Sequence, residues 1–311
     1  MASQSTLFTY SKQVAKFLHD VKQETFTPAD LTDYINQARR EVAERTQCVR
    51  RLTPICGAIS GWKITNGGSG YTAPTFTVSA PDFPSGNPIN PNGLQATATG
   101  TVSGGVITAI YSQAGGAGYF QPQLTITDAT GSGATATPII PGVNKLNPSQ
   151  ESYNFSDIDL SMFPGVDSVL AIKSVSVIYA NYRYSLPMYA FSVYQAKIRQ
   201  YPYQYQYVPA FCSQLGQGNA GSFYAYPLPS QTYQWEFDLF CIPQDLTDDQ
   251  SVEVIPKPWD DAVPFYAAAY CYLSIQNLNA AEYYFKKFDE ITLRKSNYAR
   301  IGRAVNPYGR Y

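Results

Sequence analysis

Apolar positions recur at helical spacing near both ends of this 311-residue chain and alternate in twos through its middle. Val14, Phe17, Leu18 and Val21 outline a short amphipathic helix. A stronger one is predicted from Thr27, with Pro28 at its first position and Asp30 able to reach back to the cap. Leu31, Tyr34, Ile35, Ala38 and Val42 share one face of it, and Arg39, Arg40, Glu41, Glu44 and Arg45 lie mostly off that face. Toward the other end, Asp261 is a candidate N-cap, with Pro264 inside the first turn. Asn279 with Glu282 has capping-box spacing, and Ala281, Tyr284, Phe285, Phe288, Ile291 and Thr292 follow at helical intervals. Between these ends, Phe76-Thr77-Val78, residues 106–110, residues 169–178 and Trp235-Glu236-Phe237-Asp238-Leu239-Phe240 read as strands, with a short helix over 191–199. Two helices at each end of a chain most simply pack as one bundle. The predicted class is α+β, a bundle of N- and C-terminal helices with a β section and an inserted all-β module.

The boundaries follow a change in composition. Sixteen of the 22 glycines lie between Gly57 and Gly142, where Lys63, Asp82 and Asp128 are the only charged residues. That span repeats itself. Gly67-Gly68-Ser69-Gly70-Tyr71 matches Gly115-Gly116-Ala117-Gly118-Tyr119, and Ala96-Thr97-Ala98-Thr99 matches Ala134-Thr135-Ala136-Thr137. The two offsets differ by the loop at residues 81–91. Two copies make a small module, too few for a solenoid. The expected organisation is N-terminal helices over 1–56, the module over 57–142, a β section with a short helix over 143–256, a helical hairpin over 257–295 and a basic, aromatic arm over 296–311.

Charge and chemistry narrow the function. Charged residues make up 14% of the chain, against about 25% ordinarily. A net charge of −1 gives no general attraction to nucleic acid or acidic membrane. Tyrosine is abundant, with 26 residues, which suits contact surfaces as well as sheets. Tyr201, Tyr203, Tyr205 and Tyr207 would share a face of an extended segment, either as a half-buried strand or as a subunit or tail interface. Cys48, Cys56, Cys212, Cys241 and Cys271 are odd in number and scattered, and they read as free thiols. The N-terminus lacks signal-peptide character, and no run of about 18 apolar residues suggests a membrane span. His19 is the only histidine, so a catalytic triad and a histidine metal site are not expected. The glycine clusters precede strands and lack the lysine of a phosphate loop. Paired carboxylates suffice for glycoside cleavage, and Asp157/Asp159, Glu236/Asp238, Asp248/Asp249 and Asp260/Asp261 are the candidates. None has a cleft signature around it. The chain is therefore expected to be no enzyme, with no catalytic, cofactor-binding or metal residues and no cofactor. After Glu290 there is no acid, while Arg294, Lys295, Arg300, Arg303 and Arg310 accumulate around Tyr308 and Tyr311. Such an arm is suited to ordering on another protein.

The segments 26–42 and 255–268, with the Ala-Glu-Tyr-Tyr-Phe-Lys-Lys-Phe run ending at Phe288, resemble the head-to-tail adaptor (connector or neck) proteins of short-tailed bacteriophages, of the tail tubular protein A type. The resemblance covers roughly residues 1–55 and 150–311, and the glycine-rich module departs from the minimal adaptor. It implies a homo-oligomeric ring, commonly a dodecamer, between the portal protein and the tail nozzle protein, with tail fibres as a further contact. Double-stranded DNA would pass through the lumen without sequence-specific binding and no membrane would be engaged. The protein would belong to the virion neck or tail, assembled in the host cytoplasm. Docking into the portal would fall to Arg294, Lys295, Arg300, Arg303, Tyr308, Arg310 and Tyr311. Two other classes stay open: a virion-associated glycosidase or cell-wall hydrolase, and a tail nozzle or fibre-anchoring protein.

Overall fold

A computed structural model describes residues 5–179, 181–200 and 206–299. Its helices and strands make the chain α+β. Two compact units divide it, one of Met1–Arg50, Pro164–Leu170 and Phe240–Tyr311, the other of Arg51–Phe163 and Ala171–Leu239.

The helices of the first unit start and stop for local reasons. Helix α1 (Leu7–Phe17) opens on Thr6, whose hydroxyl accepts from the Thr9 amide. It stops a turn earlier than the apolar spacing suggests. Leu18 is its C-cap, and Val21 is exposed beyond it. His19 and Gln23, both at φ +56°, bend the chain away, and the Asp20 carboxylate accepts from the amides of Glu24, Thr25 and Phe26. Helix α2 (Pro28–Thr46) has the predicted capping box, with Thr27 and Asp30 each bonded to the other's backbone amide. Its buried face holds Leu31, Ile35, Ala38 and Val42, but also Arg39 at 0% exposure, contrary to the expectation that this arginine points away. A short helix, α3 (Phe191–Ile198), lies in the second unit.

Two expected caps are corrected. Asp261 does not cap helix α4 (Val263–Ser274); it sits in the 3-10 turn Trp259–Ala262, and its carboxylate accepts from Lys295 Nζ at 2.6 Å. Helix α5 (Leu278–Ala299) begins before Asn279. Asn277 supplies the side-chain oxygen, accepting from the Ala280 amide at 3.3 Å, and Glu282 pairs with Lys286 at 2.8 Å instead of closing a box. Helix α4 is the centre of this packing and touches α1, α2 and α5. Phe17 meets Phe265 with ring centroids 4.9 Å apart, and Tyr266 meets Phe288 at 4.8 Å. The hydroxyls of Tyr272 and Tyr284 both donate to the Phe17 carbonyl, at 2.9 and 3.2 Å, satisfying the end of α1.

After β1 (Arg50–Leu52), the glycine-rich span folds into six strands: β2 (Gly61–Ser69), β3 (Thr75–Val78), β4 (Thr97–Ser103), β5 (Val106–Ala114), β6 (Leu124–Thr127) and β7 (Ser132–Ile139). The first sequence copy supplies β2–β4 and the second β5–β7. The pairs are β2–β7, β3–β6 and β4–β5, all antiparallel, so each ribbon takes one strand from each copy. The registers obey a two-fold relation. Thr77 lies opposite its own equivalent, Thr125. Ile64 faces Ala136 as Ser112 faces Ala98, and Asn66 faces Thr135 as Ala114 faces Thr97, with a bulge at the matching step of each ribbon. The Tyr71 hydroxyl accepts from the Ala134 amide (3.1 Å), and the Tyr119 hydroxyl from the Ala96 amide (2.8 Å). Asp128 accepts from the amides of Thr72 and Ala73, and Asp82 from those of Phe120 and Gln121. Gly68 and Gly116 both have positive φ, +64° and +62°, and a Cβ on either would stand 2.5 Å from a backbone carbonyl oxygen, that of Ser132 or Leu94.

The extra loop of the first copy does separate work. Its Phe83 is buried with Ile55 and Ile178, Ile89 packs against the same cluster, and Asn87 donates to Asn181 at 3.3 Å. The remaining strands are β8 (Lys145–Leu146), β9 (Ser152–Asn154), β10 (Val166–Tyr179), β11 (Tyr182–Leu186), β12 (Met188–Tyr189), β13 (Gln206–Tyr207), β14 (Phe211–Leu215), β15 (Ser222–Tyr226), β16 (Leu228–Pro229) and β17 (Tyr233–Pro243). One sheet runs β1-β17-β10-β11, with β8 also on β17. A second runs β12-β14-β15-β9, and β13 pairs with β16. Aromatic rings fill the core: Phe223 packs edge-on to Trp235 and Phe237, with Tyr153 against Trp235 at 4.8 Å.

Candidate functional site

The paired acids are all tied into the fold. Asp157 is exposed and accepts from Asn154 Nδ2 at 3.2 Å, whereas Asp159 accepts from the amides of Gly142 (2.7 Å) and Ser161 (2.9 Å). Glu236 faces Arg183 at 3.1 Å; burial, with Asp238 adding to it, pushes its carboxyl up despite that arginine. Asp238 is buried and Glu236 half-buried on β17. Asp248 holds Ser251 Oγ and the Gln250 amide in a turn, and Asp249 accepts from the Phe8 amide at 2.7 Å. Asp260 is buried, accepts from Ser5 Oγ at 2.8 Å, and keeps Oδ1 without a hydrogen-bond partner among the described residues.

Sequence reasoning missed the strongest electrostatic feature. Arg39 and Glu253 form a fully buried bidentate pair, Nε to Oε2 at 3.0 Å and Nη2 to Oε1 at 3.1 Å. Arg39 Nη1 also donates to the Gln244 carbonyl and Asn36 Oδ1, and Glu253 Oε1 accepts from the amides of Val254 and Ile255. Asn36 bonds both backbone groups of Leu246. The loop that precedes α4 is thereby fastened to α2. Spacing contained the signal, since Arg39 follows Ile35 by one helical turn on the buried face. Beside this network the Tyr10 hydroxyl is buried; burial, then the charges of Glu253 and Asp260, drive its pKa far up and keep it protonated.

No disulfide joins the cysteines among the described residues. Burial pushes Cys48 up to about 11 and Cys212 and Cys271 up to about 12, so these thiols are poor nucleophiles. His19 occupies a left-handed turn position. Among the described residues there is no cluster of metal-binding side chains, and no helix is long and apolar enough to cross a membrane.

Of the residues expected at a portal contact, Arg294 is exposed at the end of α5. Lys295 is half-buried and bonded to Asp261 and the Pro258 carbonyl of its own chain. Arg300, Arg303, Tyr308, Arg310 and Tyr311 lie outside the described residues. In the tyrosine strip, Tyr201, Tyr203 and Tyr205 also lie outside them. Tyr207 is 55% exposed on β13, opposite Pro229 of β16. It lines a hollow of about 400 Å³ with Tyr179, Tyr184 and Pro209. Tyr179, Tyr182 and Tyr184 were not singled out in the sequence, although the alternation Tyr182-Arg183-Tyr184 marks a strand edge that exposes rings. This aromatic hollow is a candidate contact surface. No protein-family model matches the chain, and a search of curated proteins returns no match.

Proposed function

We propose that this chain is a structural virion protein, a head-to-tail adaptor that forms a ring between portal and tail nozzle and a conduit for DNA. The observation that carries the reading is the packing of α4 against α1 and α2 as well as α5, which draws both ends of the chain into one helical unit. The four helices α1, α2, α4 and α5 are read as the bundle of such an adaptor, with the β section and the module as excursions from it. The acid-free stretch after Glu290 supports a docking arm, and the exposed tyrosines around Tyr207 support a subunit or tail interface. The partners are the portal protein, the nozzle protein, further copies of the chain and the passing DNA, in the neck of the virion. Native mass measurement of the protein alone and mixed with the portal of the same phage tests this. A monomer or weak oligomer alone, and a dodecamer on the portal, is the expected pair of results; no complex with the portal overturns the reading.

A further inference from the structure

We propose that the glycine-rich module is exchangeable between copies of this chain, the first repeat of one copy completing its fold with the second repeat of another. Such an exchange requires no portal. Its basis is the pairing pattern. Every β-ladder in the module joins a strand of residues 61–103 to a strand of residues 106–139, and no ladder joins strands of the same repeat. The side-chain locks cross over in the same way: Tyr71 to Ala134, Asp128 to Thr72 and Ala73, Tyr119 to Ala96, Asp82 to Phe120 and Gln121. A repeat on its own therefore has three unpaired strands, and isolated strands or ribbons are barely stable in water. A second copy offers each repeat the same complement of partners.

The two repeats are joined at one point, the turn Gly104-Gly105 between the facing residues Ser103 and Val106. Both glycines have positive φ, +60° and +79°, as a two-residue hairpin turn requires. The pairings at the module's base, Ser60 with Ile139 and β1 with β17, also join the chain before that turn to the chain after it. Opening the turn into an extended link therefore lets everything before it exchange against everything after it in another copy, and every crossed contact is regained there. In dilute solution the tethered partner wins, because a short linker holds it at an effective concentration on the order of millimolar. Copies held side by side in an assembly reach comparable local concentrations, and exchange then ties neighbours together.

The test uses the pair that faces itself across the two-fold. Thr77 and Thr125 are opposed and exposed. Chains carrying Thr77→Cys and Thr125→Cys are refolded separately and together at high protein concentration, then oxidised. The expected product is a species of twice the chain mass, found only in the mixture, whose peptide map contains a 77–125 disulfide. The doubly substituted single chain is the geometric control and should close internally. Internal closure with no 77–125 link in the mixture overturns the proposal. Should the control not close, Gly104→Val with Gly105→Val decides instead: valine resists positive φ and favours the extended link, so a folded dimer is expected. A folded monomer, or loss of the module's fold, overturns the proposal.

Discussion

At the residue scale, the buried Arg39–Glu253 pair sets the largest single-site effects. Taking one member away leaves a charge without solvent or partner, so Arg39→Met should lower stability by about 3–5 kcal/mol. Arg39→Met with Glu253→Leu should lose less, and urea unfolding of both variants checks the order. The module makes a second, comparative prediction. Gly68→Ala and Gly116→Ala each place a Cβ 2.5 Å from a carbonyl oxygen at positive φ, so each should cost at least about 1–3 kcal/mol, and by similar amounts. Gly104→Ala meets no atom within 4 Å and carries only the backbone strain, so thermal melts should place it closer to wild type. Asp128 adds a pH signature. The amide of Thr72 first, then those of Ala73 and Gly131, holds its carboxyl down to about 2. Its folded value is below the ordinary aspartate value of about 3.9, so its stabilisation is whole above that value and is lost as pH falls through about 2. Asp128→Asn should weaken the module at neutral pH and flatten the acid limb of a pH–stability curve.

Elements show which local signals survive folding. The box at Thr27 and Asp30 was legible because all its partners lie within four residues, and Thr27→Ala should cost about 1 kcal/mol of stability in thermal melts. Asp261 looked equally good as a cap, yet Lys295, distant in sequence, takes its carboxylate. At the start of α5, capping-box spacing pointed to Asn279, but Asn277 supplies the side-chain oxygen and Glu282 pairs with Lys286 one turn on. Apolar spacing overran α1 because it carries no information about the left-handed turn at His19. Arg39 was misplaced for a different reason: a charged residue is normally assigned to water, and only the loop bearing Glu253 reverses that. The repeat was plain in the sequence, but an offset states which residues are equivalent and not which ones pair. The crossing of strands between copies became visible only in the registers. For the candidate contact surface, Tyr207 was legible from alternation, while its companions Tyr179 and Tyr184 come from a hairpin distant in sequence.

For the whole molecule, the adaptor reading makes the basic arm separable from the fold. Helix α5 runs on to Ala299, past the expected start of the arm at 296, so the cut belongs after it. Deleting residues 300–311 should leave the melting temperature unchanged and abolish portal binding in a pull-down; undiminished binding removes the arm from that role. Lys295 is kept in this truncation because it bonds Asp261 and the Pro258 carbonyl within the chain. One feature of the module reaches beyond this protein. The chain enters and leaves it side by side, for the Ser60 amide donates to the Ile139 carbonyl at 2.9 Å and Gly57 lies against Ile140. Its ends thus have the spacing of an ordinary hairpin, the one geometric demand that a host loop makes of a graft. A stretch with three charged side chains and a two-fold plan of its own is in that sense a portable cassette, and the loop bearing Phe83 is the part that a new host would have to accommodate.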